Sequence, residues 1–485
     1  MCYYYFKMRK ILNRTTQLIF SQQGGMFSSA ILLSIMIVIS RVFGFLRYRI
    51  LAGYFAKGEL DIFFASFRIP DLVFEILITG AFTSSFIPIY IQFQKNKKVL
   101  NENISTIFNL ISLLLFIFII IIFLLMPHVI PLITPGFTHE KIQQIVFFSQ
   151  MLLISQLPFL IFGNFLTGLA QANKSFLITS IAPIIYNIVI IIVTFIFANN
   201  FGLNASLIGV VLGAFFFFVI QLPLYFNLRY IYLPMIKITQ GVKHFFRIIV
   251  PRVMTIIVSQ IDATIDLTLS SLLGTGSYTI FYLAQHLQLL PVSVIGIAFG
   301  QASLPYLSEL YHDNRIEELK KIIIDSVLNL LFFTVPIAGI FIFARTPLVR
   351  LFYGGQKFDW EATVNTAYTL SYFAFSIPFH SIYYFITRCF YSLLDSKTPF
   401  IISLFSIAIN TGLSLLFVLV FHFPVWSLAI SFSIAMIINV IILFLILLFR
   451  LNQFNFKPLL EEGSKITVAA FISAQIGRAS CRERV

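Results

Sequence analysis

The chain has 485 residues, of which 59% are hydrophobic and 11% charged, and 33 Lys and Arg against 19 Asp and Glu give a formal charge of +14. An ordinary soluble domain carries roughly 25% charged residues, so these figures exclude a soluble enzyme and predict an integral membrane protein. The cations are dispersed among loops and helix ends, which argues against nucleic acid as a partner and for a topology signal in a lipid bilayer.

A hydrocarbon core about 30 Å thick needs roughly 20 apolar residues per helix. Backbone groups in lipid must be satisfied internally. Runs such as LISLLLFIFIIIIFLLM are apolar on every face, which fits helices and not the alternating strands of a barrel. The opening MCYYYFKMRKILNRTTQLIF is basic and lacks an apolar core followed by a small-residue cleavage site, so residues 1–25 are expected to form a cytoplasmic lead-in. Twelve spans are expected at 26–46, 61–93, 103–127, 144–170, 176–198, 203–228, 246–273, 278–307, 322–344, 364–392, 399–421 and 424–449. Lys and Arg concentrate in alternate connections, at 7–14, 95–98, 229–247, 315–321 and 450–465, which places the N-terminus in the cytoplasm of a multi-pass inner-membrane protein.

Self-similarity organises these spans. KSFLITSIAPIIYN (174–187) echoes KTPFIISLFSIAIN (397–410), and VIS…GELDIFFA, ending at Ala65, echoes IVS…GSYTIFYLA, ending at Ala284. Six spans separate the copies, an even number, so the halves are parallel repeats. The expected fold is an all-α polytopic membrane protein with two six-helix lobes around a central cavity, an N-lobe at 26–230 and a C-lobe at 240–450. A loop and partial thirteenth helix follow at 451–475, where ITVAAFISAQI has half the length of a span. The closing residues 476–485 are expected to be a non-native tail that truncates a last helix pair.

The intramembrane charges carry the chemistry. Asp61, Arg68 and Glu75 recur every seven residues, with Thr79 one turn beyond, so the second span has one polar stripe. Arg41 lies in the last turns of the first span, and Arg47 and Arg49 lie just past it. A charge facing lipid costs at least about 2.5–3.5 kcal/mol on insertion scales, so Arg41, Arg47 and Arg68 are expected to line a wet pocket. Their planar forks match phosphate oxygens bidentately. The bland alternative pairs Arg68 with Asp61 as a structural bridge and lets Arg47 and Arg49 snorkel. In the C-lobe, Gln285 and His286 occupy the eighth span, His286 either as a titratable phosphate contact or as a core histidine. Asp262 and Asp266, one turn apart, face a choice of roles with Asn410 and Ser414: hard oxygen ligands for Na⁺, a proton acceptor, or an interhelical hydrogen bond. Cys2, Cys389 and Cys481 are far apart and show neither metal-ligand spacing nor a disulfide framework. No nucleotide-binding or hydrolase motif occurs, which disfavours an enzyme or an ATP-driven pump.

SRVFGFLR (40–47), LDIFFASFRIPD (60–71), GAFTSSFIP (80–88), TPGF (134–137), AQANKSF (170–176), APIIYN (182–187), QLP (221–223), LFYGGQKF (351–358) and FYSLLDSKTP (390–399) occur in this order. In that ordered set the chain resembles the MurJ/MviN family of lipid II flippases, within the multidrug/oligosaccharidyl-lipid/polysaccharide exporter superfamily. The resemblance implies export of an undecaprenyl-pyrophosphate-linked disaccharide-pentapeptide for peptidoglycan by alternating access, and a C-terminal helix pair that joins a groove for the lipid tail. It makes Arg41 and Arg47 cavity arginines, Asp61 the second-span acid and Arg68 a basic position. No cofactor is implied beyond coupling to Na⁺, H⁺ or the membrane potential; the lipid-linked disaccharide-peptide, the bilayer and the cell-wall synthesis machinery are the partners implied. The chain departs from the family where Tyr48 replaces a frequent Asp, Phe74 and Thr79 replace Arg and Glu, and Gln285-His286 replaces Asp-Arg. Export of another polyprenyl-linked glycan and drug/cation antiport are the alternatives.

Overall fold

The computed structural model describes residues 26–75, 90, 92–93, 95–173, 175, 177–227, 231–451 and 457–482. The expected lead-in and positions 76–89, including Thr79, lie outside the described residues. Among those described, every regular element is helical. The first half supplies α1 (Met26–Tyr54), α2 (Lys57–Phe74), α3 (Lys97–Ile133), α4 (His139–Ser155), α5 (Leu157–Ala172), α6 (Leu177–Phe201), α7 (Leu203–Val219) and α8 (Leu222–Asn227). The second supplies α9 (Gln240–Ser271), α10 (Ser277–Pro291), α11 (Ala298–His312), α12 (Ile316–Phe343), α13 (Arg345–Tyr353), α14 (Trp360–Ala374), α15 (Ser376–Ser392), α16 (Lys397–Leu415), α17 (Trp426–Leu451) and α18 (Lys457–Arg482). π-Helical turns occupy Val292–Ile297 and Leu416–Val420.

Eight helical stretches among the described residues are long and apolar enough to cross a membrane. They correspond to eight of the twelve expected spans. The other four are α1, α2, α9 and the pair α14/α15. The last of these consists of segments of 15 and 17 residues. That break has a counterpart in the first half. Gln156 separates α4 from α5 ahead of Leu157-Pro158-Phe159, and Phe375 separates α14 from α15 ahead of Ile377-Pro378-Phe379. Proline has no backbone N–H to give and fits the first turn of a new helix, so the same signal interrupts both halves.

Contacts divide the chain into two units, Met1–Leu132 with Thr138–Gln260 and Gly355–Lys357, and Ile133–Phe137 with Ile261–Gly354 and Phe358–Val485. The boundary falls inside α9 because the start of that helix belongs to the apolar core of the first unit. There Val242 and Phe245 pack with Leu100, Ile104 and Ile107 of α3 and Phe165, Leu166 and Leu169 of α5. In the second unit Leu319, Ile323, Val327 and Leu330 of α12 meet Ile382, Phe385 and Phe390 of α15 and Leu443 and Leu447 of α17. Leu113, Phe116, Ile120 and Leu124 of α3 remain exposed, as lipid-facing residues do.

The segment 231–239 has no regular structure and is strapped along α3 by side chains spaced on one helical face. Asn109 donates to the carbonyls of Leu233 (3.2 Å) and Met235 (2.8 Å), Leu233 N–H donates to Ser105 Oγ (3.0 Å), and Lys237 pairs with Glu102 (3.0 Å). The C-terminal expectation requires correction. KPLLEEGSK is helical and not a loop, so α18 runs for 26 residues to Arg482. The pair Lys465–Glu462, on one face at 2.7 Å, supports its exposed side.

Two loops at matching places in the halves close on glycine. A Cβ on Gly136 would meet the Ser271 backbone, and one on Gly355 would fall 2.5 Å from Gly53 Cα. Each glycine lies shortly before a buried phenylalanine, Phe137 or Phe358. Gly136→Val and Gly355→Val should each lower thermal stability of the purified protein by about 1–3 kcal/mol through overpacking. Gly412→Ala, where a Cβ meets open space, serves as the control. Equal melting of all three would contradict the close approach.

Asp395, between α15 and α16, accepts from Thr398 N (3.0 Å), from Thr398 Oγ1 (2.6 Å) and from Arg450 at the end of α17. Burial alone would raise its pKa, but the hydrogen bonds from Thr398 and Arg450 outweigh it and hold the carboxyl at about 2 against an ordinary 3.8. A depressed carboxylate pKa contributes stability that is complete above the ordinary value and disappears as pH falls through the folded value. Stability should therefore drop between about pH 4 and pH 2, and a thermal-melt series on Asp395→Asn should lack that part of the drop.

Candidate functional site

In the first unit the structure gathers charge around Arg47 and Arg68. α1 presents Arg47 half-buried, its guanidinium carbon 4.7 Å from the Tyr48 ring centroid and 6.0 Å from that of Tyr186 on α6. Arg68, half-buried on α2, donates through Nη2 to the Gln260 carbonyl (2.7 Å) and to Gln260 Oε1 (3.0 Å). Asp71, one turn after Arg68, lies in the electrostatic field of Arg68, Glu75 and Arg47. The polar stripe of α2 therefore runs Arg68, Asp71, Glu75 at the helical spacings of three and four.

Asp61 stands apart from that stripe in its environment. It is fully buried, with Lys141 Nζ of α4 at 3.8 Å. Arg41, six residues before Arg47, is exposed, as is Arg49.

In the second unit Gln285 and His286 are half-buried on α10. His286 turns back on its own helix, with Nδ1 2.9 Å from the Tyr282 carbonyl and its ring 4.1 Å from the Tyr282 ring. A different histidine, His380 of α15, is the buried one. Gln288 Nε2 donates to Ser376 Oγ and to His380 Nδ1, both at 3.1 Å, and the His380 ring stacks 5.3 Å from Tyr384. The sequence reading passed over His380, although a histidine inside an apolar run, IPFHS, is a usable signal.

The acid pair of α9 is brought to α16 as expected. Asn410 Nδ2 donates to Asp262 Oδ1 (3.0 Å) and Asp266 Oδ2 (2.9 Å), and Ser414 Oγ donates to Asp266 Oδ1 (3.1 Å). Asp266, Asn410 and Ser414 are buried, and Asn410 Oδ1 has no hydrogen-bond partner. Among the described residues no group of three or more His, Cys, Asp or Glu side chains is placed to hold a metal ion. Two carboxylates, an amide and a hydroxyl instead form a hard oxygen-rich set suited to Na⁺ or a proton. The orphaned amide oxygen fits such a guest, because half a turn of the Asn410 amide would aim it at both acids.

α12 and α18 enclose an apolar groove of about 430 Å³ between Phe332, Pro336, Ile340, Phe343, Ile466 and Ala469.

The lipid II flippase MurJ family model matches residues 51–480. A probable lipid II flippase MurJ of Rickettsia prowazekii is 30% identical over 409 residues, covering 81% of this chain and 78% of its own. One from Buchnera aphidicola subsp. Schizaphis graminum is 29% identical over 445 residues, covering 88% and 85%. Among solved structures, a lipid II flippase MurJ in an inward closed conformation superposes with a TM-score of 0.77 at 27% identity, over 92% of both chains. An inward-facing multidrug resistance MATE family transporter superposes at 0.73 with 15% identity, over 87% of this chain and 98% of that one, and shares the fold alone. With its ordered motifs, its helical repeats and the family match over most of its length, this chain belongs to the lipid II flippase MurJ family.

Proposed function

We propose that the protein translocates lipid II, an undecaprenyl-pyrophosphate-linked disaccharide-peptide, from the cytoplasmic to the outer leaflet of the bacterial inner membrane by alternating access. It is a transporter and not an enzyme. The observation that carries this reading is that Arg47 and Arg68 both act on the surroundings of Asp71, in a chain of the flippase family. Two guanidinium groups offer fork geometry to a diphosphate at any working pH. Asp71 and Glu75 lie beside these arginines, so the headgroup has to displace an existing interaction and can leave again. Arg41, exposed on the same helix, would meet the headgroup before Arg47 does. Within the second unit, the groove between α12 and α18 suits part of the polyprenyl tail. Asp61 acts at a distance, by holding Lys141 and so the junction of α2 with α4.

The C-lobe set of Asp262, Asp266, Asn410 and Ser414 is proposed to bind Na⁺ or a proton, and the membrane potential is the alternative drive. The N-terminus is cytoplasmic in this reading, and the cell-wall synthesis machinery consumes the product. A drug/cation antiporter shares the fold and would centre its site on acids; the first unit here centres on arginines.

Arg47→Gln and Arg68→Gln should each reduce outer-leaflet lipid II at least about tenfold in a strain depleted of its own flippase, at unchanged membrane abundance. Normal rescue by both would sink the reading. For the ion, Na⁺ at constant ionic strength should raise the melting temperature of the parent protein. Asp266→Asn should abolish that response, and an identical rise in both would exclude this set as the Na⁺ site.

A further inference from the structure

Tyr186 is fixed from three directions. On α7, a Cβ at Gly213 would fall 2.9 Å from the Tyr186 carbonyl oxygen and 3.1 Å from its Cδ2. Only glycine lets α6 and α7 approach this closely, and the approach sets the Tyr186 backbone and the near edge of its ring. The phenol oxygen accepts a hydrogen bond from Gln156 Nε2 at 3.1 Å, and Gln156 is itself buried at the break between α4 and α5. The ring lies 6.0 Å from the Arg47 guanidinium carbon. Tyr48 completes the arrangement at 4.7 Å, with its ring set edge-on against Phe64 of α2, 5.8 Å between centroids.

We propose that Tyr186 is a positioning residue for Arg47: together with Tyr48 it fixes where the guanidinium stands, through the attraction of its charge to the ring faces. The proposal rests on the reading of Arg47 as a headgroup contact. An aromatic face attracts a cation through its quadrupole and accepts none of the five N–H donors of arginine in their forked plane. A carboxylate in the same place would occupy that fork and compete with the diphosphate. The internal repeat supports a role specific to the arginine. KSFLITSIAPIIYN and KTPFIISLFSIAIN align Tyr186 with Ile409, beside the Asn410 that bonds two acids. Where the repeat presents carboxylates, the ring is replaced by an aliphatic side chain.

The test is equilibrium binding of fluorescently labelled lipid II to the full chain in nanodiscs. Tyr186→Ile should weaken binding about two- to thirtyfold. Tyr186→Phe, which keeps the ring, should restore most of the loss. Arg47→Gln combined with Tyr186→Ile should bind no worse than Arg47→Gln alone, because the tyrosine acts through the arginine; a merely structural role would make the losses multiply. If Tyr186→Ile fails to fold, Tyr186→Gln carries the same comparison. Parent-like binding by Tyr186→Ile while Arg47→Gln loses affinity overturns the positioning role and leaves the headgroup reading standing. Parent-like binding by Arg47→Gln overturns the headgroup reading, and the positioning role with it.

Discussion

A guanidinium held at membrane depth is the constraint on which the first unit is built. Such a charge left to lipid costs at least about 2.5–3.5 kcal/mol, so the helices around Arg47 and Arg68 must supply compensation. They do so with different chemistry. Arg47 is met by rings from α1 and α6, and Arg68 by the main chain and side chain of Gln260 on α9, while Asp71 sits in the field of both. These contacts require α1, α2, α6 and the first part of α9 to converge.

The second unit solves the complementary problem at the same repeat position. Aligning the halves on Ser40 and Ser259 places Arg47 opposite Asp266 in the repeat. One half therefore carries a cation in its first helix, and the other an anion. The partner helices follow suit. Asn410 of α16 turns its amide protons to Asp262 and Asp266, whereas its repeat mate Asn187 on α6 donates to the Pro183 carbonyl of its own helix at 3.0 Å. Matching positions of the repeat thus carry charges of opposite sign.

Much of this was legible in the residues. Apolar runs marked the helices, the paired motifs marked the repeat, and a seven-residue spacing marked α2 as amphipathic. A spacing of seven keeps Asp61 on the face of Arg68 and offers it as a bridge partner for that arginine. Asp71 lies closer, since one helical turn brings Arg68 and Asp71 together while two turns carry Asp61 to Lys141. Gln260, Tyr186 and His380 were missed for one reason: uncharged or single polar residues in an apolar run give no sign of which distant helix they will face. The half-length thirteenth helix was misjudged because KPLLEEGSK looks like a loop by hydropathy, although its charges pair one turn apart as a helix allows.

By itself the sequence determined that the chain is a helical membrane protein with two parallel halves, and that charge lies within the spans of each, arginines with acids in the first and the Asp262–Asp266 pair in the second. Those conclusions depend on transfer free energy and periodicity, which are properties of local stretches. Tertiary structure decided which side chains neutralise those charges, that Tyr48 and Tyr186 flank Arg47, and that Asn410 bridges two carboxylates. Such choices depend on contacts between segments far apart in the chain, and no local pattern encodes a distance across a bundle.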